Sequence, residues 1–257
     1  VMAPYKGYQI YSMPPPSSGG ITLIEMLQIL SHFPLAKWGH NSAQSLHVMS
    51  EAMNLAYLDR NQYLADPDFI SIPQKRLLSP KHADVLASKI NISKHMPPQK
   101  IAMDNSVDEA PQTTHYSVLD KDGNAVSNTY TLNHAYGNGY VVPGLGFLLN
   151  NELDDFTIIP GQANMYGLRQ GSANLIAPGK RPLSSMTPSI VLKNKQVFLV
   201  TGSPGGSRII NAVLQVMLNV IDYHLNLASS VAAPRIHSQA WPDSIQFEQG
   251  ISPRYLG

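Results

Sequence analysis

Residues 112–124, QTTHYSVLDKDGN, set two hydroxyls side by side at the head of an alternating run. Thr113 closes a polar stretch and Thr114 begins the alternation. Alone, a doubled threonine is ordinary strand chemistry, because a β-branched side chain fits a pleated surface. Other short stretches offer it partners. TYTLN sets Thr131 and Asn133 two apart, on one face of a strand, although a cross-hairpin threonine and a turn asparagine would look the same. LLNNELDDF supplies Glu152 and Asp155, acceptors suited to an ammonium or to a solvated acidic turn. KRPLSSM brings two hydroxyl donors, Ser184 and Ser185. GSPGGS sets Gly205 and Gly206 ahead of a helix, where amides without a neighbouring Cβ, helped by the helix dipole, can approach an oxyanion. It is no phosphate loop, because it lacks G-x-x-x-x-G-K-[ST] and Arg208 does not replace the lysine.

The chain has no cysteine. Disulfides, a thiol nucleophile and thiolate metal sites are excluded, so any nucleophile is oxygen or nitrogen. The nine histidines are scattered and form no H-E-x-x-H pair. His47, on an apolar helix, reads as packed rather than ligating, and neither a metal nor a cofactor is expected. Eighteen Lys and Arg against 17 Asp and Glu leave a charge of +1, which advertises no nucleic-acid groove. No apolar run approaches the roughly 20 residues that span a bilayer.

The elements that must hold these groups are legible from spacing. YKGYQIYSM alternates like a strand and PPPSSGG breaks it. Ile21, Ile24, Leu27 and Leu30 then recur at helical spacing, with Ser17 or Ser18 as cap. A second helix is predicted from Ser42 to about Leu64 with Leu46, Met49, Met53 and Tyr57 on one face. A third covers residues 79–90, with Ser79 as cap and Pro80 at its first position. Residues 94–112, rich in proline and charge, read as an exposed connector. THYSVLD and AVSNTYT form a hairpin across Lys121–Asn124, and SIVLKNKQVFLVTG a second across Asn194. Residues 206–225 give a long helix with Ile209, Val213, Val216 and Val220 inward. Helices, then strands, then a helix indicate mixed layers rather than a βαβ repeat.

QTTHYSVLDKDGNAV, TYTLN, LLNNELDDF, KRPLSSMTPSIV and TGSPGGSRII occur in an order and spacing that resembles the γ-glutamyltranspeptidases; PPPSSGG and YLDRNQYLADPDF extend the likeness over essentially the whole sequence. The resemblance implies an αββα sandwich of the N-terminal nucleophile hydrolase type. Residues 1–112 would then be the C-terminal part of a large-subunit region ending in a mobile connector, and residues 113–257 a small-subunit region, both in one shared domain. It implies autocatalytic cleavage at Gln112–Thr113, with Thr113 as nucleophile in both the cleavage and the later reaction. Thr131 would position that nucleophile. Asn133, Glu152 and Asp155 would meet the donor's α-amino group, and Ser184 and Ser185 its α-carboxylate. Gly205 and Gly206 would stabilise the oxyanion, and residues 160–171 would form a lid with Tyr166 at its tip.

The implied activity is γ-glutamyl hydrolysis and transfer from glutathione, glutamine and related amides to water or amino-acid acceptors. A poly-γ-glutamate depolymerase, a glutaryl β-lactam acylase and an inactive binding chain are the alternatives. A periplasmic or secreted location is implied. The implied missing parts are the N-terminal portion of the large subunit, with a carboxylate-holding arginine upstream of Val1, and a stretch beyond ISPRYLG. Ser127 and Asn128 stand where the family more often has apolar residues, an expected soft spot beside the site.

Overall fold

A computed structural model describes residues 1–98 and 113–252. Gln112, most of the expected connector and the residues from 253 on lie outside the described residues. The element order is β1 (Met2–Tyr5), β2 (Tyr8–Ser12), α1 (Gly19–Leu30), α2 (Leu35–Trp38), α3 (Ala43–Tyr63), α4 (Gln74–Leu77) and α5 (Pro80–Ala87). It continues through β3 (Thr113–Leu119), β4 (Ala125–Thr131), β5 (Ser189–Lys193), β6 (Gln196–Thr201), α6 (Ile209–Ile221), α7 (Leu227–Ala232), β7 (Ile236–His237) and β8 (Gln246–Phe247). Among the described residues no helix is long and apolar enough to cross a membrane.

Strands β1, β2, β5 and β6 form an antiparallel sheet in that spatial order. Its β5–β6 turn is two residues, Asn194 and Lys195, with φ of 52° and 65°. Two left-handed residues in a two-residue loop suit the twist of a hairpin. Helix α1 packs against this sheet and against α3, α5 and α6. It is therefore buried on every side except at Gln28, not along the single stripe that its spacing suggested. Leu23, Met26 and Leu27 of α1 share one core with Met49, Met53 and Tyr57 of α3, Val191 and Leu199 of the sheet, and Val213, Leu214 and Met217 of α6. Each such side chain contributes about 1.5–3 kcal/mol on burial.

The caps of α3 and α5 are as expected. Ser42 accepts from the Ser45 amide and Ser79 from the His82 amide, each satisfying an otherwise orphaned donor. The cap of α1 is not. Ser18 occupies the position without capping the helix, its hydroxyl accepting from Arg60 Nε and donating to the Ser184 carbonyl at 2.8 Å, while Ser17 Oγ accepts from the Gly19 amide at 3.1 Å. The long C-terminal helix begins with a single 3-10 turn, Gly206–Arg208, and Val220 is only half-buried.

Strands β3 and β4 pair as their own ribbon, Thr113 opposite Thr131 and Leu119 opposite Ala125. Thr113, not Thr114, is its first residue. The five-residue connection is closed by Asp120, whose Oδ1 accepts from the amides of Asp122 and Asn124. Ser127 is no soft spot: its hydroxyl donates to the Thr201 carbonyl at 3.0 Å and accepts from the Ser189 amide at 3.0 Å. A polar residue there bonds the ribbon to β5 and β6, which an apolar side chain cannot do. The opposite face, with Tyr116, Val118, Val126 and Tyr130, is exposed.

Candidate active site

Thr113, Thr131, Asn133, Glu152, Asp155, Tyr166, Ser184, Ser185 and Gly206 line one cavity, together with Met186 and Ile209. Residues spread over more than 90 positions of sequence thus meet in one place. Thr113 Oγ1 donates to Thr131 Oγ1 at 3.3 Å across the ribbon. The Asn133 amide donates to the same Thr131 oxygen at 2.9 Å.

Asn133 reaches the cavity from the turn after β4, the second of its two readings, and not from the strand face. Strand β4 ends at Thr131, and Asn133 takes φ = 72°, a left-handed turn that asparagine tolerates better than most residues. Its side-chain amide donates to the Asn151 carbonyl at 3.3 Å and to Asp155 Oδ1 at 3.4 Å. Glu152 and Asp155 form the ends of a single 3-10 turn. In a 3-10 helix residues three apart are eclipsed, so both carboxylates face the same way. Burial and the adjacent Glu152 carboxylate push the Asp155 pKa well above the ordinary carboxylate range, and burial raises Glu152 as well. Such a pair holds a proton until a cation replaces it. Asp154 points elsewhere and accepts from the Met165 amide.

The loop carrying Ser184 and Ser185 is tied at both ends. Asp66 accepts from the amide and Nε of the same residue, Arg181, at 2.8 and 2.9 Å. The Arg181 bonds hold the Asp66 carboxyl well below its usual range. At the far end the loop meets PPPSSGG: the amide of Ser18 donates to the Ser184 carbonyl, and Ser17 Oγ donates to the Met186 carbonyl at 2.6 Å. A Cβ on Gly19 would overlap Thr187 Oγ1, so only glycine permits this approach.

Gly206 lines the cavity with φ = 52°, whereas Gly205, at φ = 126°, shapes the preceding turn and stands outside the lining. The Tyr57 hydroxyl pins this turn through the Ser207 carbonyl at 2.5 Å. Tyr166 sits at the tip of its loop, in the turn that the Gly167 amide closes on the Asn164 carbonyl, but it faces inward rather than outward. It is buried, its ring lies where a Cβ on Gly206 would fall, and its hydroxyl donates to Asn133 Oδ1 at 2.5 Å. An amphipathic ring with its hydroxyl bonded at the base of a cavity lowers its energy by turning inward.

One group went unmarked in the sequence. Arg60, inside YLDRNQYLADPDF, is completely buried behind the serine loop and donates to Ser185 Oγ at 2.9 Å. Its motif was visible, but nothing in the spacing showed that α3 runs behind the cavity. His47 is half-buried and donates to the Asn91 carbonyl at 2.8 Å. The described residues also bring Glu25, Asp59 and His82 together, from α1, α3 and α5. His82 Nε2 lies 2.6 Å from Asp59 Oδ2, a hydrogen-bond length, and burial raises the Glu25 pKa, favouring its proton-carrying form. None of the three lines the cavity.

Helices packed on antiparallel sheets, with a strand-initial threonine in a cavity of paired acids and hydroxyls, define the class: an α+β hydrolase fold of the kind in cephalosporin acylase from Bacillus halodurans. That structure superposes with a TM-score of 0.82 at 27% identity, over 99% of this chain and 43% of that one. The chain belongs to the γ-glutamyltranspeptidase family, whose model matches residues 1–256. It is 52% identical over 253 residues to a glutathione hydrolase proenzyme of Escherichia coli K12, covering 98% of this chain and 44% of that protein. It is 61% identical to the T380A mutant of Helicobacter pylori γ-glutamyltranspeptidase, with a TM-score of 0.54 over 55% of this chain and 75% of that chain. The chain thus spans less than half the length of the curated relative named here.

Proposed function

We propose that this chain carries the nucleophile and the donor-reading groups of a γ-glutamyl hydrolase and transferase that matures by cleaving itself at Gln112–Thr113. The observation that supports it most is the hydroxyl of Thr113, first in its strand and bonded to Thr131, in one cavity with an acid pair and a serine pair. In the precursor Thr113 Oγ1 attacks the Gln112 carbonyl, the acyl group moves from nitrogen to oxygen, and water hydrolyses the ester. The α-amine released is a base of pKa roughly 7.7–8.0, placed on the nucleophile's own residue.

In the mature enzyme this amine takes the Thr113 hydroxyl proton as the oxygen adds to the γ-carbonyl of the donor. The oxyanion is met by the Gly206 amide at the glycine turn, the proton passes to the departing amine, and a γ-glutamyl-threonine ester remains. Water or an amino acid then takes the acyl group and restores the hydroxyl. Asp155 and Glu152 suit the donor's ammonium, and Ser184 and Ser185 its carboxylate.

The whole-chain likeness to a cephalosporin acylase supports glutaryl amides as a second reading. A glutaryl group lacks the ammonium, so the raised acid pair favours the γ-glutamyl donor. The exposed apolar face of the β3–β4 ribbon suits a four-layer αββα sandwich completed by parts of the protein outside this chain, and family membership supports a periplasmic or secreted location. Turnover of γ-glutamyl and glutaryl 4-nitroanilides by the whole protein, with N-terminal sequencing of its subunits, tests the reading. A small subunit that does not begin at Thr113, or a preference for the glutaryl compound, would refute it.

A further inference from the structure

The guanidinium of Arg60 is fully buried, and every hydrogen-bond partner it has among the described residues is a neutral oxygen. Nε donates to Ser18 Oγ at 3.0 Å, Nη1 to Asn61 Oδ1 at 3.0 Å and to Gln170 Oε1 at 3.4 Å, and Nη2 to Ser185 Oγ at 2.9 Å. No described carboxylate forms an ion pair with it, and Asp155 acts on it only at longer range. Burying an unpaired cation costs several kcal/mol, so its positive potential stays available to an anion in the adjoining cavity.

The hydrogen bonds also fix directions. A hydroxyl has one proton to donate. Ser185 Oγ accepts from Arg60 Nη2, and its own proton has no acceptor among the described residues, so the cavity is where it is free to point. Ser184 Oγ likewise accepts from the Met186 amide at 3.0 Å. Ser18 joins the two halves, accepting from Arg60 and donating to the Ser184 carbonyl. PPPSSGG and YLDRNQYLADPDF, which the catalytic chemistry leaves unused, thus converge on the serine loop.

We infer that Arg60, anchored by Ser18, is a positioning residue for the donor's α-carboxylate: it turns the Ser185 hydroxyl toward that carboxylate and supplies the unneutralised charge behind it. The role rests on the γ-glutamyl reading of the cavity. Arg60 does not touch the donor; it acts through Ser185. Its charge also opposes the rise in the Asp155 pKa, an influence that a lysine at position 60 keeps. Glu152 and Asp154 are the other charged groups acting on Asp155, and both raise its pKa.

The test compares two donors in the whole enzyme: γ-glutamyl 4-nitroanilide and 4-aminobutyryl 4-nitroanilide, which keeps the amine and lacks the α-carboxylate. Arg60→Lys is expected to raise KM for the first by about ten- to a hundredfold, with kcat little changed, and to leave KM for the second unmoved. The effect should not add to that of Ser185→Ala, since both remove one device. An equal loss on both donors, or full additivity with Ser185→Ala, overturns the inference while leaving the γ-glutamyl reading intact. An unsubstituted enzyme inert to the γ-glutamyl donor overturns both. Should Arg60→Lys fail to fold, Ser18→Ala decides on the same two donors: a KM rise confined to the carboxylate-bearing one supports the role, and an equal loss overturns it.

Discussion

Thr113 and Thr131 face each other across the first pair of the β3–β4 ribbon, oxygen to oxygen at 3.3 Å, and the Asn133 amide donates to the same Thr131 oxygen. Thr131 thus receives two donors, and the Thr113 hydroxyl is held before any substrate arrives. Thr131→Val keeps the shape and removes the acceptor. It should lower kcat about a hundredfold or more, the scale of a positioned proton-transfer contact, and slow self-cleavage in parallel. Single-turnover acylation and denaturing electrophoresis would show it; normal rates in both would argue that the contact is only structural.

The freed amine of Thr113 sets the expected pH profile. Activity should rise through neutrality with an apparent pKa at or somewhat below roughly 7.7–8.0. The neighbouring imidazole predicts something different. His115 lies on the same face of β3, bonded to Thr129 at 2.8 Å and Ser117 at 3.1 Å, and burial lowers its pKa, so a histidine base would place the rise below about 6.5. Selective acylation of the amine in the mature enzyme should abolish acyl-enzyme formation.

Donor binding should release a proton. The raised pKa values of Asp155 and Glu152 favour a shared proton in the empty cavity, and an arriving ammonium favours the ionised form. KM should therefore fall as pH rises through the pair's elevated pKa. Titration calorimetry of a non-hydrolysable γ-glutamyl analogue in buffers of different ionisation heat would read the release directly. Identical heats in all buffers would contradict it.

Gly206→Ala meets two obstacles: a left-handed φ of 52° and the ring of Tyr166, which the new Cβ would overlap. Displacing the amide should cost about 2.7–4 kcal/mol of barrier, roughly a hundred- to a thousandfold in kcat. A double variant with Tyr166→Ala should recover part of the loss, because it removes the clash but not the strain.

His237 gives a stability test away from the chemistry. It is buried between Asn211 and Gln239, and burial pushes its pKa down to about 4. The folded protein holds the neutral ring, so this contribution is complete above the unfolded pKa of about 6.5 and drains as pH falls toward about 4. Urea midpoints of the parent and of His237→Asn should therefore differ most at neutral pH and converge on acidification.

Periodicity and caps located α3, α5 and both hairpins because those signals are local: Ser42 and Ser79 each satisfy an amide three residues on. The same logic failed at Ser18, whose hydroxyl oxygen accepts from Arg60, 42 residues away, and not from a helix amide. It failed at Ser127 too, where β5 and β6 supplied partners for a side chain that looked out of place.

The sequence by itself determined which chemical groups are present: a strand-initial threonine, two acids at a three-residue interval, paired serines and a glycine turn, in the order that marks the family. Such groups are read from identity and short spacing, and the 3-10 turn of Glu152–Asp155 turns that spacing directly into a shared face. Only the tertiary structure decided that Tyr166 turns inward, that Gly205 stands back while Gly206 lines the cavity, and that Arg60 lies behind Ser185. These depend on contacts between residues 40 to 125 positions apart, which are set by packing α3, the serine loop and the glycine turn into one core and leave no periodicity along the chain.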